Sequence, residues 1–260
     1  MLLAQLVAAV DRLAPMSLAE DWDNVGLIVG RHNQPCRCLL VALELRDEVL
    51  GEARELGCGA VLIYYPPIFP LLVRLTDDVE GGRLVLEAAE SRVAVIAAHT
   101  NLDAAENGLN SEMADLIGLH DSRPLRPATD RPAAGLGRVG RSGSLTLERL
   151  VARVSSAFGG PPLLYSGDPG ARIEQVACCT GSGASLIPEV AESGADAYVT
   201  SDLRYHDADR AEGLPLIALP HGRCERVALK RWTRRLARVL SPEGVEVRFA
   251  ETDTDPWQSA

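Results

Sequence analysis

Aromatic residues are scarce in this chain, with three Phe, three Trp and five Tyr among 260 residues, so its core has to be assembled from Leu, Val, Ile and Ala. No apolar run is long enough to cross a bilayer, and the opening MLLAQLVAAVDRLAP has neither a basic start nor a small-residue cleavage pattern. The expected location is the cytoplasm, with no membrane partner. The six cysteines include no CxxC pair and no regular framework, and reduced thiols are expected. Cations are short as well: 26 Lys and Arg stand against 36 Asp and Glu, a net charge of −10. That balance argues against a dedicated nucleic-acid binder, which needs cations against phosphate.

What is present alternates between two periods. Apolar spacing predicts helices over 2–13, 46–56, 79–91, 111–119, 145–158, 185–192 and 225–240, and strands over 27–29, 38–43, 60–65, 93–98, 176–179, 197–200 and 214–219. This βαβ rhythm predicts an α/β fold with a largely parallel core. The stretch 120–134 is polar, rich in Pro and Arg and without clear period, so it is expected to be a linker. Two lobes follow, 1–123 and 124–260, with the final helix and strand packing back on the first. Residues 52–63 align without gaps with 189–200, which puts Gly57 and Gly194 at the same helix stop, where left-handed backbone is needed. The lobes read as internal repeats around a shared cleft.

Each repeat leads to the same constellation: an apolar run, a histidine, and a carboxylate four residues on. His99 and Asp103 follow 93–98, and His221 and Glu225 follow 214–220; His32, His120 and His206 have no such partner. Neutral nitrogen and anionic oxygen are donors that a divalent cation accepts in place of water, and open α/β sheets place ligand sites at strand ends. The two pairs read as halves of one metal-type site. Two structural histidines satisfied by hydrogen bonds are the alternative. Cys224, between His221 and Glu225, reads as a small buried residue.

The stretches Glu20-Asp21-Trp22-Asp23-Asn24-Val25-Gly26-Leu27, Ala98-His99-Thr100-Asn101-Leu102-Asp103, Gly135-Leu136-Gly137-Arg138-Val139-Gly140, Gly181-Ser182-Gly183 and 196–202 stand in the order and spacing of one family. Over nearly its whole length the chain resembles the GTP cyclohydrolase I type 2 homologs, also called Ngg-interacting-factor-three-like proteins. The resemblance implies two interlocked α/β lobes, a toroidal homohexamer, and a dinuclear metal site held by two adjacent histidines, an Asp, a later His and a Glu. Carried onto this chain it makes Asp103, His221 and Glu225 metal ligands. Zinc, iron or manganese is the implied cofactor, and a nucleotide-like small molecule undergoing metal-dependent hydrolysis is the implied substrate.

The chain departs from that family where the adjacent histidines belong, reading Tyr64-Tyr65-Pro66-Pro67-Ile68-Phe69. A neutral phenol, with a pKa of about 10, is a poor donor to a divalent cation, whereas a phenolate suits ferric iron. The site is therefore expected to be weakened, with metal at reduced occupancy or absent, and Tyr64, Tyr65 and His99 are expected to be catalytic groups facing the substrate. Pro220 and Gly222 replace a glycine and an aromatic around His221, and Thr200-Ser201-Asp202 replaces a Thr-Gly-acid stretch.

The competing reading is a non-catalytic oligomeric scaffold or regulator that has lost the dinuclear site. Arginines and a lysine flank an apolar stripe along 223–239, which reads as a solvated helix face or as a surface for a phosphate-bearing partner. Gly181-Ser182-Gly183 reads as a tight turn or an anion-holding loop. Asp21 and Asp23 read as helix or turn caps, and the acidic tail 251–260 as mobile.

Overall fold

Three runs of Leu, Val, Ile and Ala form the middle of the first sheet. They are β2 (Cys38–Ala42), β3 (Ala60–Ile63) and β4 (Ala94–Ala97), buried along their whole length. Strands covered on both faces have no solvent side on which to alternate, hence the unbroken apolar runs. The three pair in parallel; β1 (Gly26–Val29) joins β4 antiparallel and β11 (Glu246–Phe249) joins β2 in parallel, giving the order β1-β4-β3-β2-β11. Helices α1 (Leu3–Leu13), α2 (Asp47–Glu55) and α3 (Glu80–Glu90) complete this part of the chain. The computed structural model describes residues 1–68, 74–160 and 163–257, and the first sheet belongs to a unit of Met1–Leu102 with Leu229–Thr254. Phe69 lies outside the described residues.

The second unit takes Asp103–Ala228 together with the chain from Asp255. Its strands are β5 (His120–Ala128), β6 (Arg131–Thr146), β7 (Leu164–Tyr165), β8 (Arg172–Ser182), β9 (Ala197–Ser201) and β10 (Leu216–Leu219), in the order β5-β6-β8-β9-β10-β7. Only β8, β9 and β10 run parallel; β5 with β6, β6 with β8 and β10 with β7 are antiparallel. Helices α5 (Leu109–Leu116), α6 (Leu147–Ala157), α7 (Ile187–Ser193) and α8 (Tyr205–Arg210) lie in the same unit. Two further helices span the division of the chain: α4 (Thr100–Ala104) and α9 (His221–Leu240). The fold is thus mixed α/β, built on two sheets.

The expected linker at 120–134 is instead the hairpin of β5 and β6. β5 is an edge strand, and an edge tolerates Pro124, Pro127 and polar side chains because one row of its backbone groups needs no ladder partner. Residues 123 and 124, where the lobes were expected to divide, fall inside β5. Gly57 and Gly194 both adopt positive φ, +66° and +75°, as a helix stop followed by a strand requires. Cys38, at the start of β2, and Cys58, just before β3, form a disulfide where thiols were expected, and the other four cysteines are free and buried. At Glu251 and Thr252 the tail is held rather than loose. Its backbone N–H groups at Glu251 and Thr252 donate to the Glu52 carboxylate at 2.8 and 3.1 Å. No helix among the described residues is long and apolar enough to cross a membrane.

Candidate functional site

β10 ends at Leu219, and after Pro220 helix α9 starts at His221, four residues ahead of its first expected position. A separation of four on one helix puts two side chains on the same face, so His221 Nε2 lies 2.8 Å from Glu225 Oε1. The other ring nitrogen, Nδ1, lies 2.5 Å from Oδ2 of Asp202, a residue with left-handed backbone (φ +54°) just past β9. The Glu225 side chain is only 3 % exposed; a carboxylate so placed is costly unless paired. Its hydrogen bond raises the His221 pKa against the opposing effect of burial, and Asp202 adds to it, pushing the imidazole up to about 9. Without a cation, His221 is thus an imidazolium held between two carboxylates.

The end of β8 shapes the other wall. Gly181 has φ +64°, and a Cβ there would stand 2.5 Å from Glu225 Oε1 and 3.3 Å from His221 Nε2. Only a residue without a side chain fits. A Cβ on Gly183 would run into the Tyr198 hydroxyl and Thr200 Oγ1. The carbonyl of Gly181 accepts from Thr200 Oγ1 at 3.0 Å and that of Gly183 from Tyr198 at 2.9 Å. This turn packs closely against β9.

Asp103, on α4, is tied to the same strand end. Its Oδ1 accepts from Thr180 Oγ1 at 3.1 Å, and its carbonyl accepts from Asn110 Nδ2 at 3.0 Å, while Asn110 Oδ1 takes the Thr180 N–H at 2.9 Å. Beside Asp202 a cavity of about 530 Å³ opens, lined by Ser182, Ala184, Asp202, Leu203, Arg204 and Asp207.

Tyr64, Tyr65 and His99 come together in the first unit. Tyr64 follows β3 and is 2 % exposed; its ring meets Tyr65 and His99 edge-on with centroids 4.9 Å away in both cases, and Tyr65 lies 5.4 Å from His99. His99 Nδ1 is 3.0 Å from Oδ1 of Asp23, whose Oδ2 accepts the Thr100 N–H at 3.0 Å and the Thr100 hydroxyl at 2.5 Å. Burial works against ionisation of Asp23, but the hydrogen bonds of His99 and Thr100 outweigh it and hold the carboxyl at about 2.

Asp23 and Asp202 are the two groups that sequence reading did not place in the site. Both stand in stretches already singled out. Asp23 was taken as a cap, and it does accept the N–H of Thr100 at the start of α4, but its partner His99 is 76 residues away. Asp202 is 19 residues from His221, a distance that periodicity does not bridge.

The donor chemistry can be set against a metal. Among the described residues no three His, Cys, Asp or Glu side chains are grouped so as to hold an ion. His221 Nε2 and Glu225 Oε1 are one nitrogen and one oxygen donor side by side, which suits a single cation completed by water. They do not suit a two-ion centre.

The profile of Duf34/NIF3 (NGG1p interacting factor 3) matches residues 1–256. The chain belongs to this family. A GTP cyclohydrolase 1 type 2 homolog of Streptomyces coelicolor is 31 % identical over 265 residues, covering 98 % of this chain and 93 % of that protein. Another, from Clostridium perfringens, is 28 % identical and covers 99 % of each. Among solved structures, a hypothetical protein of Staphylococcus aureus superposes with a TM-score of 0.93 at 26 % identity, covering 100 % of this chain and 99 % of the other. This NIF3-family chain therefore shares its architecture with its relatives along its whole length, and what it does has to be argued from its own side chains.

Proposed function

We propose that this NIF3-family protein holds a single divalent cation weakly between His221 and Glu225, completed by water, and hydrolyses a nucleotide-like substrate there. The observation that carries this reading is the contact of Asp202 with His221 Nδ1, which turns Nε2 onto Glu225 Oε1. A ligating histidine is commonly oriented by a carboxylate on its other nitrogen. A zinc, iron or manganese ion bound there would lower the pKa of its water and steady a developing oxyanion. The chain's own part is to position. Asp202 orients the imidazole, and Gly181 leaves the donors room.

Weak binding follows from the donor count. One imidazole nitrogen and one carboxylate oxygen stand side by side, fewer protein donors than a tightly held ion takes. The substrate class comes from the name of the relatives, and it is supported by a cavity of about 530 Å³ with Arg204 on its wall, a size suited to a small molecule. A homohexameric ring and a cytoplasmic location belong to the same proposal and rest on the family likeness.

One observation favours the scaffold reading instead: both nitrogens of His221 are engaged by carboxylates, and no three-ligand group stands among the described residues. Incubation with GTP and manganese, followed by chromatography of the products, separates the two. The hydrolase reading expects turnover that stops with chelator and in His221→Ala. Intact hexamers without turnover would establish the scaffold.

A further inference from the structure

In the second unit, α7 and α8 wall a further cavity of about 730 Å³ that the cation reading leaves unused. We infer that it binds a planar heterocycle by a lactam edge, with Asp207 accepting from the ring N–H and Arg210 donating to the neighbouring carbonyl. The inference rests on the nucleotide-like reading only for the choice of probe, and it needs neither the cation nor hydrolysis.

The first ground is shape. Ile187, Pro188 and Ala191 on α7 line the cavity together with Ala211 and Leu214 beyond the end of α8. Sites for small molecules have volumes of roughly 300–1,000 Å³ and mostly apolar walls carrying a few fixed polar groups, and this cavity has both properties. Ala184 and Asp207 also line the cavity of about 530 Å³ beside Asp202. A substituent on the ring therefore has a path towards Asp202 and, through it, His221.

The second ground is the polar pair. Asp207 is 9 % exposed; its Oδ2 accepts the Arg204 N–H at 3.0 Å and its Oδ1 accepts from Arg210 Nη2 at 2.7 Å. A carboxylate oxygen has room for two donors, so each keeps one acceptor site. Arg210 is fixed a second time, its Nε donating to the His206 carbonyl at 3.2 Å, while its Nη1 meets no acceptor among the described residues. A separation of three on α8 keeps the two groups side by side. An ionised carboxylate only accepts and a guanidinium only donates, so the complementary ligand edge is an N–H next to a C=O. The lactam of an oxo-purine or a uracil carries both in one plane. Both protein groups are charged, which strengthens each bond, and both are held in advance, which lowers the ordering cost of binding.

The probes are inosine, which has the ring N–H, and 1-methylinosine, in which a methyl group replaces that hydrogen, titrated calorimetrically into the full-length protein in excess EDTA. Inosine is expected to bind with a Kd on the order of 0.1 mM, and 1-methylinosine about tenfold or more weakly than that. Arg210→Met, a change at an exposed side chain, is expected to weaken inosine about five- to tenfold. Asp207→Asn is expected to bring the two nucleosides within about threefold of one another. Should Asp207→Asn fail to fold, Ala184→Leu, which fills the wall the two cavities share, is expected to weaken both nucleosides alike. No binding of inosine, equal binding of the two nucleosides by the wild type, or full affinity in Arg210→Met would each overturn the inference. Inosine bound in EDTA by a protein that turns over no GTP would support it and remove only the hydrolase reading.

Discussion

Nδ1 of His221 sits 2.5 Å from Oδ2 of Asp202, and that contact decides which ring nitrogen meets Glu225. If Asp202 orients a ligand, Asp202→Asn should weaken zinc binding by roughly 10- to 100-fold, the usual consequence of removing such a support. Glu225→Gln should abolish binding. Calorimetric titration of metal-stripped protein checks both, and unchanged affinity in Asp202→Asn would remove the orienting role.

Gly181 offers a cleaner test of geometry. Gly181→Ala places a methyl group against Glu225 and His221 in a left-handed backbone, whereas Gly143→Ala meets the same backbone strain (φ +72°) with nothing within 4 Å. Both should lose about 1–2 kcal/mol of stability from the left-handed conformation. Only Gly181→Ala should also lose zinc. Equal zinc affinity in the two variants would mean that the bare Cα has no part in the site.

Asp23 makes the fold sensitive to acid in a defined window. Its carboxyl ionises at about 2, below the ordinary value of 3.8, so the stability it contributes is complete above about pH 4 and is lost as the pH falls towards 2. The shift corresponds to a contribution on the order of 2 kcal/mol. Asp23→Asn should flatten the acid limb of a denaturation series by about that amount. An acid limb identical to the wild type would contradict the pairing with His99 and Thr100.

The disulfide between Cys38 and Cys58 predicts a count. Unfolded, unreduced protein should take up four iodoacetamide groups and, after reduction, six. Six before reduction would restore the all-thiol reading.

Much of the architecture was legible because burial writes itself into the sequence. The runs at β2, β3 and β4 are apolar throughout since both faces are covered, and Gly57 and Gly194 mark helix stops that the backbone confirms. The β5–β6 hairpin was not legible, because an exposed edge strand carrying Pro124 and Pro127 has the composition of a loop. Spacing along the chain pointed to His221 with Glu225, since a helix converts a separation of four into contact. It was silent on Asp23 with His99 and on Asp202 with His221, which are brought together only by tertiary structure.

The central claim, one weak cation site at His221 and Glu225, is tested most directly by counting ions. Elemental analysis of protein purified without chelator, then dialysed against zinc, should give at most one ion per chain, absent from His221→Ala. Two tightly held ions per chain in the wild type would contradict the account.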